Sequence, residues 1–143
     1  MKLLRATAEG LPLFKEKLDI CFYAQQRISE EQKEQLHPLF SNVYLNPATG
    51  FIGINASGKT SVLKVILLIL GIMNNEPINH IDTRDILGDA KKTVLNIFFY
   101  SETNKEVCRL ETVVAARKTK TEGIIYSIIS ERIWSKKTDE IFA

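Results

Sequence analysis

Apolar positions recur with two different periods along the chain, and the changes of period divide it into three stretches. Leu18, Ile20, Phe22 and Ala24 occupy every second position, which places one row of side chains on a single face of a strand. Leu3 to Ala8 precedes them across the turn residues Gly10, Leu11 and Pro12, so residues 1–24 predict a β-hairpin. Ser29 with Gln32 has the spacing of a capping box and predicts a short, very polar helix over Glu30 to Leu36, with Pro38 just beyond its end. Val43 to Met73 reads as a strand, a glycine-rich loop and a long apolar helix, which Asn74, Asn75, Glu76 and Pro77 bring to an end. Within it, Thr49–Ile54 is strand-like. The run from Val62 to Met73, broken only by Lys64, is too short for a membrane span of roughly 20 residues and predicts a buried helix.

In the third stretch, residues 92–137, Thr93, Leu95, Ile97 and Phe99 alternate with their neighbours, as do Cys108, Leu110, Thr112, Val114 and Ala116. Polar breaks fall at Ser101–Lys105 and Lys118–Gly123. Strands joined by such short loops form an antiparallel meander, because parallel neighbours need crossovers of a dozen residues or more. Strand, loop, helix and then antiparallel strands is not a doubly wound pattern.

Composition narrows the functional classes. The chain has 143 residues, 45% apolar and 25% charged, which suits one globular domain with a real core. Its net charge of +2 supplies no electrostatic reason to expect nucleic acid or an anionic membrane as the main partner. Cys21 and Cys108 lack CxxC spacing and a nearby histidine cluster, so they predict buried reduced thiols rather than a metal site. The N-terminus MKLLRATAEG has no apolar core of signal-peptide length, and a cytoplasmic location is expected.

One motif carries chemistry. Gly53-Ile-Asn-Ala-Ser-Gly58-Lys59-Thr60 matches G-x-x-x-x-G-K-[ST] at every required position. Gly53 and Gly58 let the backbone curl with no Cβ in the way, so that successive N–H groups face an anion. A helix starting near Lys59 adds its N-terminal partial positive charge. Lys59 reaches the β- and γ-phosphates, and the Thr60 hydroxyl is placed for Mg²⁺. The alternative is a fortuitous glycine turn before a buried helix. Asn55-Ala56-Ser57 also matches an N-glycosylation acceptor, a coincidence inside such a loop. The expected contact set is Gly53, Asn55, Ala56, Ser57, Gly58, Lys59, Thr60 and Ser61, with ATP and Mg²⁺ as ligands and Thr60 on the metal.

The string FIGINASGKTSVLKVI resembles the Walker A loop of the ABC-like ATPases that include the SMC and RecF proteins. It is especially similar to the stand-alone bacterial AAA-type ATPases related to the overcoming-lysogenization-defect and abortive-infection proteins. Their loops read G-x-N-[GA]-S-G-K-[ST], and Asn55, Ala56 and Ser57 reproduce that middle. Phe14 and Lys15 stand in the turn before the second strand, as in that family, although Gly10-Leu-Pro-Leu13 replaces its usual Asn-Phe-Arg-type sequence. The resemblance implies an α/β (α+β) lobe: a P-loop NTPase N-terminal lobe with a strand–P-loop–helix core and an antiparallel β-subdomain. It also implies an ATPase whose heads close on each other as a homodimer when ATP binds, in DNA transactions or phage defence.

That family hydrolyses ATP with residues this sequence does not display. A Walker B strand ends in Asp and a catalytic Glu. Here Asp139-Glu140 follows Lys-Lys-Thr, and Ile128-Ile-Ser-Glu131 lacks the Asp. The family's metal-side Gln follows the β-subdomain, whereas Gln25, Gln26, Gln32 and Gln35 all precede the loop. The serine-rich signature motif is absent as well. The expectation is therefore the N-terminal lobe of a longer ATPase, partnered by a missing C-terminal ATPase lobe, that binds nucleotide without turning it over. Two alternatives are a small P-loop kinase, which expects parallel strands after the loop, and a non-catalytic nucleotide-binding module.

The remaining candidates favour structural roles. His37 and His80 read as solvated or capping residues, and Asp82 and Asp85, flanking Arg84, as helix-start or surface charges. Phe40 and Tyr44 could stack on adenine, but core packing is the simpler role. Arg117, Lys118 and Lys120 form a basic hairpin tip that solvation explains before DNA contact does. Trp134 reads as core or domain-interface surface.

Overall fold

A computed structural model describes residues 1–54, 58–121 and 123–141 of the chain. Its first strand, β1 (Lys2–Glu9), lies inside a sheet rather than at an edge. On one side β2 (Leu18–Cys21) returns antiparallel, with Ala6 opposite Ile20 and Ala8 opposite Leu18. On the other side is β5 (Thr93–Ser101), also antiparallel, with Ala6 opposite Ile97 and Ala8 opposite Leu95. Small side chains suit this place: Ala6, Thr7 and Ala8 are all buried, so both faces of β1 are covered at its centre. Gly10 turns the chain out of β1 at φ +82°, and a Cβ there would stand 2.4 Å from the Lys92 carbonyl oxygen, so only glycine fits the close approach to β5.

β6 (Glu106–Thr119) and β7 (Gly123–Lys137) complete the sheet in the order β2-β1-β5-β6-β7. Every neighbouring pair is antiparallel. The β6–β7 pairing shifts register between Val113 and Val114, where Ser130 and Ile128 are the respective partners, leaving Ile129 as the extra residue of a bulge.

The helices supply the second layer. In α2 (Lys59–Met73) the buried residues are Val65, Leu68, Ile69 and Ile72, a spacing of i, i+3, i+4 and i+7 that forms one stripe. They join Ala6, Ala8, Leu95, Ile97 and Val114 of the sheet, and Ile86 and Leu87 of α3 (Ile81–Leu87), in one core cluster. Each aliphatic side chain buried this fully contributes about 1.5–3 kcal/mol. Lys64, the one charge in the apolar run, ties the two helices together: its ammonium bonds Asp82 at 3.0 Å and also Asp85. Those carboxylates raise the Lys64 pKa, Asp85 most strongly. Asp82 and Asp85 thus sit on α3 as partners of α2.

Before α2, α1 (Glu30–Lys33) starts with the capping box at Ser29, whose N–H donates to Gln32 Oε1 at 3.0 Å. It ends well short of Leu36. Backbone bonds Gln35 N–H to Gln32 O and Leu36 N–H to Lys33 O tighten its exit. The residue before a proline avoids helical backbone, and His37 opens β3 (His37–Phe40) instead. β3 pairs antiparallel with β4 (Val43–Leu45), and the Phe40 ring packs on Tyr100 of β5 at 4.8 Å between centroids. At the C-terminus, α4 (Thr138–Ile141) follows β7.

Two expectations need correction. The α/β strand–P-loop–helix core of a P-loop NTPase is not what the chain forms: the structure is dominated by an antiparallel five-stranded sheet, and residues 49–54 make no strand. The interior places of the sheet are taken by β1, β5 and β6, whose connections run antiparallel. No described strand offers 49–54 a parallel partner, and Ile52 and Ile54 are 102% and 83% exposed. Nor is α2 buried all round: Leu63, Leu67 and Leu70, at i, i+4 and i+7, are 50%, 61% and 38% exposed, because the sheet covers one side of the helix only. No described helix is long and apolar enough to cross a membrane.

Candidate nucleotide-binding loop

The residues of the glycine-rich motif lie where β4's extended continuation meets α2. Asn46 N–H donates to the Phe22 carbonyl at 2.9 Å, holding the chain beside the end of β2, and residues 47–54 then run on without a partner strand. Asn55, Ala56 and Ser57 lie outside the described residues, which include the other five members of the expected contact set, Gly53, Gly58, Lys59, Thr60 and Ser61.

Gly58 is the hinge into α2. It adopts φ +86° and ψ 9°, the left-handed region that L side chains avoid, and its carbonyl accepts the Val62 N–H at 3.0 Å to open the helix. A Cβ at Gly58 would stand 3.8 Å from Cε1 of Phe14, so the turn after β1 forms a wall against the start of α2. Phe14 itself packs on the core cluster, and its N–H donates to the Leu11 carbonyl at 3.2 Å.

Lys59 is the first helical residue, and its side chain reaches back to Gly53 and Ile54. Its ammonium donates to the carbonyl of Gly53 at 2.7 Å and to that of Ile54 at 2.7 Å. A lysine has three ammonium donors, and these two bonds hold it against Gly53 and Ile54, bringing residues from the two ends of the motif together. The first turn of α2 contains no acidic residue, so nothing there offsets the positive end of its 15-residue helix. Thr60 is exposed on that turn and Ser61 is half-buried. The positive end of a helix, an ammonium and a hydroxyl all favour an anion, and the hydroxyl could also meet a cation carried by it.

The other candidates lie elsewhere. Phe40 faces Tyr100, and Tyr44 is half-buried in β4. His80 caps α3, with Nε2 3.1 Å from Thr83 Oγ1. Lys118, at the β6–β7 tip, is paired with Asp89 at 3.4 Å. Cys108 is buried, which pushes its thiol pKa up, whereas Cys21 is only half-buried and its thiol lies 3.4 Å from the Tyr23 carbonyl oxygen. A concavity of about 460 Å³ lies between the end of β2 and α1, lined among others by Tyr23, Gln25, Arg27, Gln35 and Asn46. Its walls mix amide side chains with Ala24, Ile28 and Leu36 and do not include Lys59 or Thr60.

Periodicity did not reveal the exposed Leu63–Leu67–Leu70 stripe or the wall made by Phe14. The stripe had a signal, since a helix apolar on all sides requires cover on all sides. Comparison of the chain with protein-family models, curated proteins and solved structures finds no match.

Proposed function

We propose that the loop from Gly53 to Ser61 binds the phosphates of ATP together with Mg²⁺. The observation that carries this reading is the placement of Lys59, whose ammonium bridges back to the Gly53 and Ile54 carbonyls from the first turn of α2. That arrangement sets a cationic group at the positive end of α2 beside the Gly53 and Ile54 backbone, which suits a polyphosphate. The left-handed Gly58 and the absence of acidic residues in the first turn also support it.

The residues present fit the ligands. Backbone amides at the start of α2 and the Lys59 ammonium would hold the phosphate oxygens, and Thr60 would take a place on Mg²⁺. The metal would neutralise charge on the bridged phosphates. The proposal stands on the loop alone and not on a P-loop NTPase core. As the loop resembles that of the ABC and SMC-like ATPases, we read the chain as the ATP-binding part of such an ATPase. In that reading the Walker B and signature groups come from a C-terminal lobe, and ATP closes two heads on each other. The kinase alternative expects parallel strands after the loop, and each described strand pair is antiparallel.

Calorimetric titration of Mg-ATP into the chain and into Lys59→Ala, with phosphate release followed alongside, tests the reading. The expected result is binding by the parent chain, weakened at least tenfold in the variant, without turnover. Equal binding by both proteins, or none by the parent, would overturn the loop assignment. Turnover abolished in Lys59→Ala would retain the loop and overturn the need for groups from outside the chain.

A further inference from the structure

The last strand of the sheet is open along most of one edge. At its start the edge is closed by a side chain: Asn79 Oδ1 accepts the Tyr126 N–H at 2.7 Å, and Asn79 Nδ2 donates to the Tyr126 carbonyl at 2.8 Å, as a neighbouring strand would. From Ser127 to Lys137, β7 continues as the terminal strand with β6 on one side only. Directly opposed residues share a face, so Ile133, opposite Leu110 and through it Ile97, lies on the helix-bearing face. Trp134, opposite Arg109 and through it Phe98, lies on the other. Ile133 is 64% exposed and Trp134 45% exposed. A long edge with apolar residues on both faces and no proline is a template for another strand.

We propose that this edge docks a second copy of the chain, β7 pairing antiparallel with β7 about a two-fold axis at Ile133 so that two five-stranded sheets become one. Charge narrows the register of such a self-pairing. Two-fold pairing in one continuous sheet sets residues of equal parity opposite each other, so the axis must pass through a residue. Centred on Glu131 it opposes two glutamates, and centred on Arg132 two arginines. Centred on Trp134 it sets Arg132 against Lys136. Like charges directly opposed are destabilising. Only the axis at Ile133, among these four, avoids them.

That register also makes contacts the free chain lacks. Ile133 meets its own copy on the helix-bearing face. Arg132 stands opposite Trp134 of the other copy, twice by symmetry. The guanidinium of Arg109 already lies 4.8 Å from the centroid of the Trp134 ring, leaving the ring's other side for the incoming cation. Glu131 stands opposite Ser135, with Lys137 one diagonal step away. The bulge at Ile129 kinks the edge and limits the new pairing to residues 130–136, which are symmetric about Ile133.

Backbone direction permits it. Tyr126, opposite Ala116, turns its N–H and carbonyl outward to Asn79. Every second residue of β6 from Ala116 leads to Leu110, opposite Ile133, so Ile133 presents its N–H and carbonyl to the open side. Proline at that position removes an outward donor while leaving the β6 ladder intact.

Sedimentation equilibrium over the micromolar range is the test, with nucleotide absent. The parent chain is expected at twice the chain mass, and Ile133→Pro at the single-chain mass with its far-ultraviolet dichroism unchanged. Arg132→Glu is expected to weaken association at least tenfold, and Lys59→Ala to leave it untouched. A monomeric parent, or a dimer that persists in Ile133→Pro, would overturn the proposal. Tighter association in Arg132→Glu would also overturn it, because it would place the axis at Trp134, where residue 132 faces Lys136. A dimer that forms only with Mg-ATP and disappears in Lys59→Ala would mean head closure through the loop instead.

Discussion

Residues 49–54 and β5 both open with threonine and run on through alternating aliphatic side chains, and they occupy opposite environments. In β5, Leu95 and Ile97 are completely buried, held between β1 and β6 under the cover of α2. In 49–54, Ile52 and Ile54 stand in solvent. Intrinsic preference differs little between TGFIGI and TVLNIF apart from the two glycines, which weaken a strand. What separates them is the presence of neighbours. A strand gains its hydrogen bonds and its cross-strand contacts only where the topology leaves a slot, and β1, β5 and β6 occupy every interior slot of this sheet.

The sharpest way to break this contrast is to truncate one side chain in each run. Ile97→Ala removes a fully buried side chain that packs in the core and is expected to cost about 2–5 kcal/mol. Ile52→Ala is expected to stay within about 0.5 kcal/mol of the parent, as for exposed positions. Urea denaturation of the two variants checks both values. A loss at Ile52 comparable with that at Ile97 would mean that 49–54 is packed after all.

A smaller effect sharpens the comparison at the boundary between 49–54 and α2. Gly58→Ala places a Cβ at φ +86°, and the added carbon meets Phe14 only at ordinary contact distance. The cost is then that of the backbone, about 1–2 kcal/mol. It should appear in ligand-free denaturation, because Gly58 opens α2 without any bound phosphate. A variant as stable as the parent would mean that the turn at Gly58 is not held in the left-handed region.

The same contrast explains what the sequence makes legible. Alternation identifies the buried row of β5, where Leu95 and Ile97 lie between strands on both sides, and the i, i+3, i+4, i+7 pattern identifies the packed stripe of α2. It does not identify who pairs with whom. β1 pairs with β5 across more than 80 positions of sequence, and the only trace is the run of small residues Ala6-Thr7-Ala8, whose burial on both faces marks an interior strand. Hydrophobicity misled at 49–54 and along Leu63, Leu67 and Leu70 for one reason: it registers the preference for burial, while actual cover depends on the rest of the sheet. At the loop, the turn at Gly58 and the start of α2 at Lys59 could be read because they are local to the motif. The wall supplied by Phe14, 44 positions earlier, is a tertiary contact.

The smallest predicted effect concerns β2, an edge strand held from one side. Arg5 Nε donates to Asp19 Oδ1 at 2.8 Å, and Arg5 Nη2 bonds Asp19 Oδ2, a forked pair that ties β2 to β1. The guanidinium holds the Asp19 carboxyl below the usual carboxylate range. Both side chains are about 40% exposed, so solvent screening leaves the pair roughly 0.2–1 kcal/mol. A depressed carboxyl pKa means that the unfolded chain binds the proton more readily than the folded one. The contribution is therefore complete above the ordinary carboxylate range and is lost as pH falls through and below about pH 4. Asp19→Asn should accordingly be less stable than the parent from about pH 5 to 8, with the difference shrinking towards acid as the parent loses its ion pair. A difference that stays constant across the acidic range would show that β2 is held by its ladder bonds and side-chain packing, with no measurable share from the charge.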